Sequence, residues 1–339
     1  MKILLILAST GPMVGGMEKQ VALQANYMSK IKGAKVSVIA SPCFKDLFED
    51  DIYFTGLKMS RSRRNLALLF NLHQVVSKNL PDIIHAHGHK AASMLSTLKP
   101  FLSSHIKLIA SSHGLKRNNK ALKKMDEVFV VSEGIQDVVS PIHSVVIHNG
   151  IEACTLPPSN RAGFCKNLGL NPKRPLILGV GRLVKTKQFE RLIQAAKGLE
   201  ANIVILGDGP DRAYLESIAS ENVCLTGYRS DTRSLLYIAD MMVICSERDG
   251  FSLALIEALH SHLPVLSTRV PGAQDLLPEN CLIDSTDEAK LRQFIQKHLD
   301  NIEQLKLSQQ KQFQYAQNEL KIERVAERTY KQYREVISA

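Results

Sequence analysis

Asp249 and Glu257 stand eight residues apart in SERDGFSLALIEALHSHLPVLST, residues 246–268. The segment follows MMVIC, 241–245, an apolar run that reads as a buried parallel strand. A charged turn containing Gly250 comes next, and then Leu253, Leu255, Ile256 and Leu259 at helical spacing. A strand feeding a glycine turn into a helix start presents free backbone N–H groups and a positive dipole end, a fit for phosphate or diphosphate. Asp249 falls in the turn and Glu257 a turn or two inside the helix, so each carboxylate can accept from a different hydroxyl. Two acceptors beside an anion cradle suit a nucleotide sugar.

Other candidates are weaker taken singly. Arg182 and Lys187 follow the apolar run LILGVG, in GRLVKTKQFERL. Ligands of open α/β sheets bind at such strand ends, where two cations would neutralise a diphosphate and support its departure. Gly15-Gly16-Met17-Glu18 reads as a strand-to-helix turn with Glu18 well placed against the helix dipole. Its alternative is a loop whose backbone at Gly16 approaches a ligand. His85, His87 and His89 alternate after a strand and, at period two, are expected on one strand face. No carboxylate or cysteine stands among them at ligand spacing, and no metal site is assigned. His113, in ASSHGLK at the end of the following strand, is the better functional histidine, against an ordinary core or capping role. Gly207-Asp208-Gly209-Pro210 is a sharp turn for which a structural role suffices, and Tyr228 or Arg229 could border a nucleotide base.

The elements that must hold these residues alternate strand and helix almost throughout. Strands are expected at 3–8, 36–40, 83–86, 108–111, 127–131 and 145–148, then at 176–180, 203–206, 223–226, 241–245 and 265–267. Helical patterns lie between them, at 18–29, 189–198, 212–220 and 233–238 among others. Such alternation implies α/β architecture, with parallel sheets covered by helices on both faces. The 339 residues suffice for two doubly wound domains, 1–155 and 156–319, divided near the breaker-rich stretch 151–175. The polar, helical C-terminus is expected to return, over about 320–339, to the first domain.

Composition narrows the class. Six cysteines with no CxxC pair read as reduced, buried thiols of a cytoplasmic protein. The opening run MKILLILAS reads as a first strand rather than a secretory leader, and no stretch approaches the length of a membrane span. Residues 1–160 carry 19 basic against 11 acidic side chains, the remainder 24 against 22. The excess gathers at Lys58, Arg61, Arg63 and Arg64, and at Lys116, Arg117, Lys120, Lys123 and Lys124. The first cluster precedes the apolar helical stretch NLALLFNLHQVV, a pairing that suits an anionic membrane surface, although a solvated basic face would look the same. No recognition motif for nucleic acid accompanies the charge, and nucleic acid is not an expected partner.

Taken in order, GGME (15–18), His113, VVSEG (130–134), HNGIE (148–152), GRLVKTK (181–187), LGDGP (206–210), LTGYRSD (225–231) and DGFSLALIEA (249–258) resemble the GT-B-fold glycosyltransferases of family 4. The resemblance implies two Rossmann-like domains with a cleft between them, the first binding acceptor and the second a nucleotide-sugar donor. It places the donor diphosphate on Arg182, Lys187 and the backbone of Gly250, Phe251, Ser252 and Leu253, with Glu257 on the ribose. It gives Asp249 the contact to the donor sugar; the family has Glu there, and Glu247 is a nearby substitute. His113 would hydrogen-bond the transferred sugar, and Gly16 would approach the diphosphate or acceptor. Tyr228 and Arg229 would lie near the base. The implied reaction is sugar transfer with retention, from a UDP-sugar to a hydroxyl of a glycolipid or polysaccharide of the lipopolysaccharide or cell-envelope type. Domain closure would complete the site. No metal or other cofactor is expected, since the cations serve the leaving group. The basic first domain suggests an anionic lipid or oligosaccharide acceptor and a peripheral position on the inner face of the cytoplasmic membrane. Alternatives are a nucleotide-sugar 2-epimerase on the same fold and a non-catalytic basic protein binding membrane or nucleic acid.

Overall fold

The computed structural model describes every residue except 10, 12, 116–118, 154–156, 158 and 285–286. Lys116 and Arg117 of the second basic cluster, and Cys154, therefore lie outside the described residues. The chain divides into two compact units, Met1–Glu152 with Leu320–Ala339, and Ala153–Glu319.

In the first unit the strands are β1 (Lys2–Leu7), β2 (Lys35–Ala40), β3 (Tyr53–Gly56), β4 (Ile83–His87), β5 (Lys107–Ser112), β6 (Glu127–Val130) and β7 (Val145–Val146). All pair in parallel, in the order β3-β2-β1-β4-β5-β6-β7. The strand β1 is buried at every position after Lys2, as helices on both faces of a parallel sheet require. The chain leaves this unit and re-enters it side by side: Ile151 N–H donates to Leu320 O at 3.0 Å, and Ile322 N–H to Ile151 O at 2.9 Å. The terminal helix Ile322–Ser338 then buries Ile322, Val325 and Tyr333 with Val21 and Met28 of the first helix, Gly16–Ser29. Each such side chain is worth about 1.5–3 kcal/mol of apolar burial.

The second unit carries β8 (Leu176–Val180), β9 (Asn202–Leu206), β10 (Val223–Gly227), β11 (Met241–Ile244), β12 (Val265–Thr268) and β13 (Leu282–Ile283). Its sheet is also parallel, ordered β10-β9-β8-β11-β12-β13. Strands β3 and β13 were not expected from the sequence. They are edge strands of four and two residues, too short for periodicity to register. Of the described cysteines Cys165, Cys245 and Cys281 are buried and all are free, but Cys43 is exposed, correcting the expectation that the thiols are uniformly buried.

Candidate active site

Both sheets reverse their strand order once, between β1 and β4 and between β8 and β11. At such a point the connections leave in opposite directions and open a crevice beyond the carboxyl ends of the two strands. Arg182 and Lys187 follow β8, and Asp249–Leu253 follow β11, so the candidates of the second unit flank one reversal point.

The loop after β8 is held by the turn after β9. Leu183 N–H donates to Asp208 O at 2.9 Å, and Gly181 N–H to Leu206 O at 3.0 Å. The approach is close enough that a Cβ on Gly207, whose φ is +147°, would fall 1.9 Å from Gly181 O. Thus Gly207-Asp208-Gly209 has a structural duty that reaches the site, because it shapes the backbone carrying Arg182. Arg182 is exposed, and its guanidinium has no ion-pair partner among the described residues.

The two loops at the reversal point are joined to each other. Glu247 N–H donates to Thr186 O at 2.9 Å, and Lys187 Nζ bonds Asp249 Oδ2 at 2.5 Å. Beyond them Gly250 and Phe251 are buried, and the helix Leu253–His260 starts from Ser252 with no side chain capping it. Its first-turn N–H groups thus retain donor capacity for an anion. Glu257, inside that helix, lies 3.6 Å from Arg233 Nε. Arg233 belongs to the helical stretch expected over 233–238, but it was not among the expected site residues. Tyr228 and Arg229 follow the edge strand β10, which β9 separates from β8. Tyr228 is exposed, whereas Arg229 makes two bonds to Asp231 at 2.7 and 2.6 Å and lies over the Phe164 ring. That guanidinium holds the Asp231 carboxyl below its ordinary pKa.

In the first unit Gly16 is exposed and opens its helix; Gly15 precedes it. Glu18 is buried and accepts from Gly15 N–H at 2.9 Å and from the Ser9 hydroxyl, so it is committed to closing the turn. At the reversal point of the first sheet, the alternating histidines part company. His85 and His87 lie on β4, but Gly88, with φ +81°, ends the strand and His89 belongs to the helix Gly88–Leu98. The expectation of three histidines on one strand face is therefore corrected: a residue in the left-handed region cannot continue the pleat. His85 is buried, with Nδ1 2.6 Å from the Tyr333 hydroxyl and Nε2 2.7 Å from Ser111 Oγ. His87 is buried beside it, and His113 is half-buried with Nε2 3.3 Å from His87 Nδ1. Burial, with His89 adding to it, pushes His113 down to about 4, and burial takes His85 down to about 3. His113 is therefore a neutral hydrogen-bonding group near pH 7. Among the described residues no group of three or more His, Cys, Asp or Glu side chains is arranged to hold a metal ion.

Known proteins share this fold. Family models described as Glycosyltransferase Family 4 and Glycosyl transferases group 1 match residues 14–153 and 162–317. The chain is 22% identical over 242 residues to N-acetyl-alpha-D-glucosaminyl L-malate synthase of Bacillus anthracis, and the match spans 63% of either chain, short of two thirds of that relative. It is 24% identical over 267 residues to the lipopolysaccharide core biosynthesis glycosyltransferase LpsD of Rhizobium meliloti, covering 76% of each. Among solved structures, Anabaena HepE in complex with UDP and glucose superposes with a TM-score of 0.82 at 18% identity, over 99% of this chain and 100% of that one. That likeness concerns the fold, two parallel sheets of the GT-B type. With both halves matched in order, the chain belongs to the GT-B-fold glycosyltransferases of family 4.

Proposed function

We propose that the protein is a retaining glycosyltransferase that moves a hexosyl or N-acetylhexosaminyl group from a UDP-sugar to a hydroxyl of a cell-envelope glycolipid or polysaccharide. One observation carries the reading: two cations and an uncapped helix start converge on the reversal point of the second sheet. A diphosphate there would bond Arg182, Lys187 and the N–H groups from Gly250 to Leu253. Glu257, oriented by Arg233, accepts from the ribose, and Asp249 from the donor sugar. Tyr228 and Arg229 border the base, His113 donates to the transferred sugar, and Gly16 gives its backbone to the diphosphate or acceptor.

In the reaction the bond from the anomeric carbon to the β-phosphate oxygen breaks as the acceptor oxygen bonds the same carbon from the same face. The departing phosphate takes the acceptor's proton. Arg182, Lys187 and the helix dipole offset the charge that grows on the leaving group, a type of stabilisation worth about 10²–10³-fold in kcat per donor. These groups meet that demand without a metal ion or other cofactor. UDP as the carrier is supported by the UDP and glucose complex of the structural relative, and an envelope acceptor by the lipopolysaccharide-core relative.

The acceptor face is read from the first unit. Lys58, Arg61, Arg63 and Arg64 are exposed in the segment that leads to the helix Leu66–Asn79, which Asn65 caps by accepting from Leu68 N–H at 2.9 Å. On that helix Leu66 and Phe70, one turn apart, are 81% and 61% exposed. His73 Nε2 lies 3.2 Å from Phe101 O, which brings Phe101, 70% exposed, alongside. Three bare apolar side chains beside four cations suit an anionic membrane surface better than water, so an anionic lipid-linked acceptor is proposed. No helix among the described residues is long and apolar enough to cross a membrane. Peripheral attachment at the cytoplasmic face follows from this reading.

The test is a panel of UDP-, GDP- and ADP-sugars read by thermal shift, followed by assay of nucleotide release and of the product's anomeric configuration. The reading expects stabilisation by one UDP-sugar, release of UDP dependent on acceptor, and an α-linked product from an α-linked donor. Stabilisation by no nucleotide sugar, or an inverted product, contradicts it.

A further inference from the structure

His87 holds the last position of β4, paired with Leu7 of β1 on one side and Ser111 of β5 on the other. It thus sits at the reversal point of the first sheet, 2% exposed, and its Nδ1 lies 3.3 Å from His113 Nε2. Two neutral imidazoles that share a hydrogen bond must take opposite parts, one an N–H donor and the other a bare nitrogen. The rest of the His87 ring decides which. Its Nε2 is buried with no hydrogen-bond partner among the described residues. Were Nδ1 the acceptor, Nε2 would carry a buried N–H with nothing to receive it, and an unsatisfied buried donor is costly. With the proton on Nδ1, a bare ring nitrogen is left there instead.

We propose that His87 is a positioning residue that donates Nδ1–H to His113 Nε2 and so fixes His113 as its Nδ1–H tautomer. The N–H at His113 Nδ1 is then the donor available to a ligand, and no described residue is hydrogen-bonded to that nitrogen. His85 keeps His87 in place. Its two ring nitrogens are tied to Tyr333 and Ser111, and its ring centroid lies 4.0 Å from that of His87 with the planes tilted by 36°. The C-terminal helix therefore contributes to the geometry of His113 through Tyr333, although it lies more than two hundred residues away in sequence. Burial also favours the neutral form of all three histidines. The consequence for catalysis rests on the reading of His113 as a donor to the transferred sugar; the tautomer does not.

The experiment is long-range ¹H–¹⁵N spectroscopy of the full-length protein labelled with ¹⁵N-histidine, near pH 7.5, with His113→Gln to assign the resonance. In the wild-type protein His113 is expected as the Nδ1–H tautomer, the less populated form of free histidine in water. In His87→Leu it is expected to revert to Nε2–H, with kcat lowered about tenfold, the size of one hydrogen bond, and KM for the donor within about twofold. His87→Asn retains an N–H near the position of Nδ1 and is expected to keep the His113 tautomer and recover most of the turnover. A wild-type His113 in the Nε2–H form overturns the proposal, as does a His87→Leu protein with its tautomer unchanged. Should His87→Leu fail to fold, the wild-type and His87→Asn spectra still decide. A protein with the expected tautomer but inert towards every donor supports the assignment and contradicts the transferase reading alone.

Discussion

Lys187 Nζ lies 2.5 Å from Asp249 Oδ2, and this ion pair ties the loop after β8 to the loop after β11 across the reversal point of the second sheet. Both side chains are mostly covered, at 24% and 15% exposure, so neither charge is fully repaid by water. The pair sets the distance between the cations and the helix start before any ligand arrives.

Lys187→Ala should therefore cost stability as well as binding. It leaves the Asp249 carboxylate half-desolvated beside no cation, for about 1–3 kcal/mol in urea unfolding. Lys187→Ala with Asp249→Ala should recover part of that loss. A double variant whose loss equals the sum of the two single losses would mean that the pair is not coupled.

Arg182→Gln and Glu257→Gln are expected to separate the two ends of the nucleotide. Calorimetric titration should show Arg182→Gln weakening UDP and inorganic diphosphate alike, by about 10- to 100-fold. Glu257→Gln should weaken UDP about tenfold and leave diphosphate unaffected. A uniform loss in both variants would contradict the division of labour.

Gly207→Ala should be among the most damaging small substitutions in the second unit. Its Cβ would overlap Gly181 O, and φ of +147° is foreign to alanine. A loss of at least about 2–4 kcal/mol is expected, with weaker UDP binding because the displaced backbone carries Arg182. Unaltered thermal melting would refute this account of the loop.

The buried histidines make stability depend on pH. His85 is driven to about 3 and His113 to about 4, and His87 also falls well below its usual value, each chiefly by burial. Unfolded, all three take a proton near pH 6.5. Between pH 6.5 and about 4 the unfolded chain thus binds more protons than the folded one, so stability rises with pH over that window. The contribution is complete above 6.5 and is lost as pH falls, at up to about 1.4 kcal/mol per pH unit for each histidine. Urea unfolding at pH 7, 6 and 5 checks it; a flat profile contradicts it.

Much of this architecture was legible beforehand, because parallel strands buried on both faces leave continuous apolar runs such as KILLIL and MMVI. The short edge strands YFTG and LI bury too little to leave such a trace. Placement of the candidate residues was readable where it depends on neighbours in sequence, as with Asp249 beside Gly250 in the turn and Glu257 in the helix that follows. It was hidden where it depends on strand order. The Lys187–Asp249 ion pair depends on β11 lying against β8, which no local pattern of residues records. Arg233 and the Tyr333–His85 contact were invisible for the same reason. The histidines at 85, 87 and 89 misled because one glycine, Gly88, ends the strand between the second and the third.

The central claim is that a nucleoside diphosphate is gripped where β8 and β11 diverge. A crystal soaked with UDP tests it most directly. The β-phosphate oxygens should lie about 2.7–3.2 Å from Arg182, Lys187 and the N–H groups between Gly250 and Leu253, with Glu257 at the ribose. UDP bound away from these residues would contradict the account.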